Sequence, residues 1–270
     1  MPSPDPLPVQ RVAVTAIGVV SPLGIGPEAT YTALREGHDC VAPVERFDVS
    51  RTRCKTAGQV DPEALGDFTS RKDRRLHVAS RMMIAAARQL QEADPEFQPD
   101  FAVLGTTSGG MSFGEQFFRA ETARRNPPKR AGWLANYLPH KAVQDAQEAC
   151  GFSAPSQIIA NACASGTNAV GHAFALVRGG RHRRVLCGGY DVIAEMVYVG
   201  FDSLQASTPE RIRPFDKGRT GLVLGEGAAL LALEAWDSAI ERGAPILAEI
   251  TGYGISTDNF HLTQPNPSGI

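Results

Sequence analysis

The residues with the clearest capacity for chemistry lie in "IIANACASGTNAVGHAFALVRGG", positions 158–180, where one thiol, Cys163, stands among small side chains. Ala160, Ala162, Ala164, Ser165 and Gly166 leave its sulfur unshielded. Val170, Ala173, Phe174 and Val177 then recur at steps of three and four, the spacing of one helical face. Cys163 is therefore expected at or just before the first turn of a helix. The free N–H groups and positive dipole end of a helix favour an anion, so a thiol placed there ionises more readily, and the thiolate is the nucleophilic form. A free cysteine is equally a small hydrophobe that fills a core. Spacing alone leaves both readings open.

The elements that must hold this thiol follow from periodicity. Strands are expected at 11–17, 101–106, 156–162, 184–189, 221–234 and 246–254, with helices at 27–36, 71–93, about 137–149, 165–178 and 235–243. Apolar strands alternating with helices predict an α/β fold with a mostly parallel, buried sheet. The last apolar segments, separated by one short helix, add some antiparallel character. Residues 107–136 break the rhythm with Gly109, Gly110, Pro127 and Pro128. Phe113, Phe117, Phe118 and Trp133 in that stretch need something to cover, which favours a lid or binding surface over a solvated connection.

A chain of 270 residues can bury a full core, and 43% hydrophobic with 21% charged residues is ordinary for a globular protein. A net charge of −2 offers no global attraction for nucleic acid or membranes, so any basic surface is local. Cys40, Cys54, Cys150, Cys163 and Cys187 form no C-x-x-C pair and no zinc spacing, which predicts reduced thiols, a cytoplasmic location and no metal. Residues 1–10, "MPSPDPLPVQ", read as a disordered lead-in without an apolar core of a signal peptide. No window approaches the roughly 20 apolar residues of a membrane span. "LVLGEGAALL" contains glycines but is neither G-x-G-x-x-G nor a Walker loop; close backbone packing explains it better than phosphate binding.

"NACASGTNAVGHA", "RPFDKGRTGLVLGEGAALLALE" and "AEITGYGISTDNFHLTQPNP" together, in this order, resemble the elongating β-ketoacyl-acyl-carrier-protein synthases. "VAVTAIGVVSPLG", "SRKDRR" and "GTTSGGM" fit the same family upstream, so the resemblance covers nearly all of the chain beyond residue 10. It implies a thiolase-type fold: two similar α/β halves in helix–sheet–helix–sheet–helix layers, assembled as a dimer. It also implies a decarboxylative Claisen condensation between an acyl-cysteine thioester and malonyl-acyl carrier protein, with Cys163 as the nucleophile. No cofactor is implied; substrates ride on the phosphopantetheine of the carrier protein. The family's two catalytic histidines and lysine stand in blocks reading like H-G-T and H-x-F-G, and neither occurs here. "HAFA" at 172–175 is expected inside the helix after the nucleophile, and His261 matches an entrance loop. The chain is accordingly expected to be the N-terminal part of a longer synthase, with 11–245 a thiolase-like domain carrying the insertion at 107–136 and 246–270 the start of a second.

The resemblance also implies further site residues. Met111 matches a residue lining the acyl pocket, Phe201 an aromatic beside the nucleophile, and Thr263 a polar residue near the phosphopantetheine arm. Core filling, simple packing and turn capping are their respective alternatives. The basic clusters Arg71, Lys72, Arg74, Arg75 and Lys129, Arg130 are expected to meet an acidic carrier protein, the alternative being a solvated face. Gln205 falls where many members have an arginine. Cys150 and Cys187 read as packing residues. A partner is expected as a second copy or a related synthase subunit. The competing function is a non-catalytic, chain-length-factor-like subunit, against which Cys163 argues, and thiolase itself is a third option.

Overall fold

Successive apolar residues of the central strands point to opposite faces, and both faces are covered. The computed structural model describes residues 9–70, 73–123, 132–261 and 264–269, with only the backbone of Arg74. Its strands are β1 (Val12–Ser21), β2 (Gly24–Ile25), β3 (Val41–Pro43), β4 (Thr56–Gly58), β5 (Phe101–Gly105), β6 (Ser156–Ile159), β7 (Arg184–Asp191), β8 (Gly227–Ala235) and β9 (Ala248–Ile250). Its helices are α1 (Pro27–Arg35), α2 (Val78–Ala93), α3 (Met111–Thr122), α4 (Gly132–Tyr137), α5 (His140–Cys150), α6 (Ser165–Arg178), α7 (Glu195–Ser203) and α8 (Trp236–Glu241). Leu104, Leu186, Leu230 and Ala232 pack under Met82, Met83 and Leu90 of α2 and Val143 of α5. Their neighbours Val103, Val185, Cys187 and Leu233 face Ala169, Ala173, Phe174 and Val177 of α6.

The main sheet runs β2-β1-β8-β7-β5-β6, with β9 also on β1. Pairing is parallel for β5–β6 and β5–β7 but antiparallel for β1–β2, β1–β8, β1–β9 and β7–β8. The expected mostly parallel sheet is therefore a mixed one. β5, β6 and β7 are joined by helical crossovers, and the short α8 links β8 to β9 across β1; β8 itself arrives from a long loop and enters between β1 and β7, antiparallel to both. β9, expected to open a second domain, pairs with β1 along Val12–Val14. β3 and β4 form a separate two-stranded sheet that the sequence pattern did not indicate.

Several boundaries move. The helix expected from 71 begins at Val78, because His77 caps it: its Nδ1 accepts the Ala79 N–H at 3.1 Å. The strand expected from 221 begins at Gly227, since 221–226 form the loop that delivers β8. The stretch 107–136 contains α3 and α4, and Phe113 covers Trp133 in a stack at 5.2 Å and meets the His77 ring edge-on at 4.5 Å. Phe118 stays exposed.

The end of the sheet where β7 begins is locked by buried charge. Glu234 is fully buried and accepts from Arg184, Ser238 and Arg242, while Arg242 also donates to both oxygens of Asp94 at 2.7 and 2.5 Å. Every charge there has an opposite partner, as burial demands. Among the described residues, no helix is long and apolar enough to cross a membrane.

Candidate active site

The opposite end of the sheet carries the thiol. Cys163 lies in the 3-10 turn Ala162–Ala164, between β6 and α6. Ala162 takes φ 60°, a left-handed conformation that a side chain adopts only under constraint. The constraint comes from Ser165: its Oγ accepts the Asn161 N–H at 2.9 Å and donates to the Ala162 carbonyl at 2.6 Å. Two glycines let α6 come close. A Cβ on Gly105, the last residue of β5, would sit 2.3 Å from the Ser165 carbonyl, and one on Gly189 would lie 3.1 Å from Gly166 Cα. The start of a 14-residue helix is thereby set at the carboxyl ends of the strands, with Cys163 exposed just before it. The first-turn N–H groups of such a helix favour negative charge.

Cys163 borders two cavities. One, about 430 Å³, is lined by Val19, Gly105, Gly166, Gly189, Asp191 and Glu226, among others. The other, about 150 Å³, brings Cys163 together with Phe201, Val197, Ile193, Leu224 and Ser108. Asp191 lines both, and its Oδ1 accepts from the Thr106 hydroxyl and from the N–H groups of Thr107 and Ser108 at 3.0, 2.9 and 2.6 Å. The Ser108 hydroxyl donates to the same oxygen at 2.8 Å. One carboxylate thus holds the turn that walls the smaller cavity. Glu226, buried, pairs with Arg46 at 2.5 Å and accepts the N–H groups of Val60 and Ile193 at 2.8 and 3.2 Å. Burial pushes its carboxyl pKa up, and Arg46 opposes the shift.

The residues expected from the sequence divide by place. Phe201 and Cys163 line the same cavity. Met111 is half-buried at the start of α3, its N–H donating to the Ser108 carbonyl at 2.9 Å; it is not among the residues lining either Cys163 cavity. Arg75 is exposed and borders a separate cavity of about 520 Å³ with Trp133 and Lys141. Thr263, Arg71, Lys72, Lys129 and Arg130, and the side chain of Arg74, lie outside the described residues. Gln205 is exposed with φ 57°, and His172 lies within α6. Cys187 is fully buried, and burial pushes its pKa well up; Cys150 is pushed up to about 11 by burial, opposed by Arg88. Sequence reading missed Ser165, Asp191 and Glu226 as the groups that hold the site. Their signal is a polar side chain within a run of small or apolar residues, where burial requires a partner. Among the described residues, no group of three or more His, Cys, Asp or Glu side chains is arranged to hold a metal ion.

Comparison with known proteins agrees with this layout. Residues 9–239 match the family described as "Beta-ketoacyl synthase, N-terminal domain". Among curated proteins, the chain is 32% identical over 278 residues to a 3-oxoacyl-[acyl-carrier-protein] synthase 2 of Synechocystis, covering 96% of this chain and 66% of that protein. It is 31% identical over 275 residues to a protein of the same name from Staphylococcus aureus, with the same coverage. The chain thus spans just under two thirds of the length of these relatives. Among solved structures, the ishigamide ketosynthase/chain length factor superposes with a TM-score of 0.86 at 30% identity, over 97% of this chain and 67% of that one. A beta-ketoacyl synthase from Burkholderia phymatum gives 0.84 at 27% identity, over 96% and 67%. These neighbours have the thiolase-type fold, and a cysteine turn feeding a helix at the strand ends occupies the matched span. The chain belongs to the beta-ketoacyl synthase family, of which it carries the N-terminal domain.

Proposed function

We propose that this chain carries the acyl-accepting half of a β-ketoacyl-acyl-carrier-protein synthase, in fatty-acid or polyketide synthesis. The Cys163 thiolate attacks the carbonyl carbon of an acyl chain held as a thioester on a carrier protein's phosphopantetheine; the carbon–sulfur bond to pantetheine breaks, and the departing thiolate takes a proton. A malonyl-carrier protein then loses carbon dioxide. The electron pair left on its α-carbon attacks the acyl-Cys163 carbonyl and expels the Cys163 thiolate, lengthening the chain by two carbons. The observation that carries this reading is the exposed Cys163, held before α6 by Ser165 at the mouth of two cavities. A non-catalytic partner subunit has no use for a thiol placed in this way.

The histidine blocks expected of the family do not occur in these 270 residues, so the reading assigns the acyl-accepting thiol to this chain and charge stabilisation after decarboxylation to residues outside it. Phe201 shapes the cavity beside the thioester, Met111 supports the turn at Ser108, and Thr263 contacts the phosphopantetheine arm. Lys129 and Arg130, with Arg71, Lys72, Arg74 and Arg75, steer the acidic carrier protein. The working assembly is a dimer with a second copy or a related synthase subunit, and residues 246–270 lead into a second thiolase-like domain. Five free cysteines fit a reducing cytoplasm.

A thiol-reactive acyl analogue tests the nucleophile in the full-length protein. Peptide mapping should find Cys163 modified well ahead of Cys54, Cys150 and Cys187, which are buried, and Cys40, whose pKa burial raises. Cys163→Ser should abolish acyl transfer, because a hydroxyl lacks nucleophilicity without its own base. Preferential labelling elsewhere, or transfer surviving in the variant, would overturn the assignment.

A further inference from the structure

Helix α6 follows Cys163, and the sheet limits its first turn from one side only. Gly105 and Gly189 set how near that turn comes to the strand ends, while the apolar contacts that resist withdrawal begin at Ala169, past the first turn. Asn168 and Gly171, three residues apart, lie on the face opposite Ala169, Ala173 and Val177. There α6 meets Tyr253. The Tyr253 hydroxyl donates to Asn168 Oδ1 at 2.6 Å, and Gly171 is buried beneath the ring. A Cβ on Gly171 would sit 2.2 Å from Cδ2 and Cε2 of that ring and 2.4 Å from Cζ, so the ring fits only where the methyl group is missing. Glycine weakens the middle of a helix, and the seat it gives Tyr253 accounts for its presence here.

Tyr253 belongs to residues 251–257, a strap without regular structure that continues from β9. The start of the strap is anchored. The Leu247 N–H donates to the Val14 carbonyl at 2.9 Å, and Arg11 donates to both oxygens of Glu249 at 2.8 and 2.6 Å. Ile250 packs against the core cluster that α6 covers. Beyond the strap, Asp258 accepts the N–H groups of Phe260 and Asn266 at 2.9 and 2.7 Å, which closes a turn. Tyr253 therefore reaches α6 from a segment tied down on either side of it. A side chain on a loose segment would follow the helix; one on an anchored strap restrains it.

We propose that Tyr253 is a positioning residue for Cys163: its ring over Gly171 and its hydroxyl on Asn168 keep the first turn of α6, and with it the thiol, seated for attack. The inference rests on the acyl-accepting reading of Cys163 and adds a control from the segment after β9. When the bond to Asn168 is lost, the start of α6 samples withdrawn positions. A thioester still enters its cavity, but the thiol faces the carbonyl in only a fraction of the molecules. The rate at saturation falls with that fraction, and the concentration for half-saturation stays where it was.

The test follows acylation of Cys163 in the full-length protein, by intact mass, over a range of octanoyl pantetheine thioester concentrations. Tyr253→Phe keeps the ring and Asn168→Ala keeps the helix. Each should lower the saturating rate about 3- to 10-fold, the size of one hydrogen bond, with the half-saturating concentration unchanged. The double variant should be no slower than the slower single one, since both remove the same bond. Gly171→Ala should expel the ring, a side chain that can swing away, and slow acylation although alanine is the better helix former; its melting temperature should hold. Wild-type rates in the folded variants, or a loss confined to the half-saturating concentration, overturn the positioning role while the acyl-accepting reading stands. If one variant unfolds, the other two decide. If wild-type Cys163 takes up no acyl group, that reading fails, and hydrogen exchange over residues 161–170 decides the positioning role. Faster exchange in Tyr253→Phe than in wild type supports it; equal exchange overturns it.

Discussion

Two thiols of this molecule meet opposite surroundings: Cys187 is buried between sheet and α6, where burial holds it protonated, whereas Cys163 is exposed at a cavity mouth. Their difference was legible, since one sits in an apolar strand and the other among alanines and glycine before a helix. The polar residues that fix the site were not. Glu226 stands in "VLGEGA" as a lone charge in an apolar run, and only the fold reveals that Arg46, Val60 and Ile193 converge on it. His77 carries a consequence for pH. Its folded pKa of about 4 lies below the ordinary 6.5, so the unfolded chain binds the extra proton first. Its contribution is intact above pH 6.5, declines as pH falls towards 4, and is lost below that, at most about 3 kcal/mol. His77→Asn keeps a cap acceptor without the titration. Denaturant midpoints at pH 7 and pH 4.5 should therefore differ less in the variant than in the wild type; equal pH slopes would show that His77 does not set the acid limb.

At the scale of elements, α6 was readable to its ends because its apolar spacing starts at Ser165 and closes before Gly179, with nothing competing. Strand direction was not, because a local pattern records which faces are buried and not which way the chain runs. The apolar stretch from 221 misled for a related reason: Leu222, Val223 and Leu224 are half-buried loop residues, as apolar as those of a strand. The approach of α6 to β5 depends on one missing methyl group. Gly105→Ala places a Cβ against backbone atoms of Ser165 and Gly166, which cannot yield as a side-chain end would. The variant should lose about 1–3 kcal/mol of stability and label Cys163 several-fold more slowly. A melting temperature and labelling rate equal to wild type would mean that the helix start is not set by this contact.

For the molecule as a whole, a net charge of −2 means that an acidic partner is attracted only by local basic clusters. Lys129→Glu combined with Arg130→Glu should raise KM for the acyl carrier protein roughly ten-fold at low salt and flatten its salt dependence, while kcat changes little. An unchanged KM across ionic strengths would show these charges to be merely solvated. The sheet itself is asymmetric along its strands. At one end, Arg242, Asp94, Glu234 and Arg184 close a fully partnered ionic knot; at the other, glycines, an open turn and two cavities surround Cys163. Both ends are tied by buried polar groups, but only the reactive end is open to cavities, so hydrogen exchange is expected to be faster around the Cys163 turn than at the knotted end. A chain seated in the cavities would add contacts at that open end, so occupancy should even out exchange along the strands and act, in effect, as a second knot.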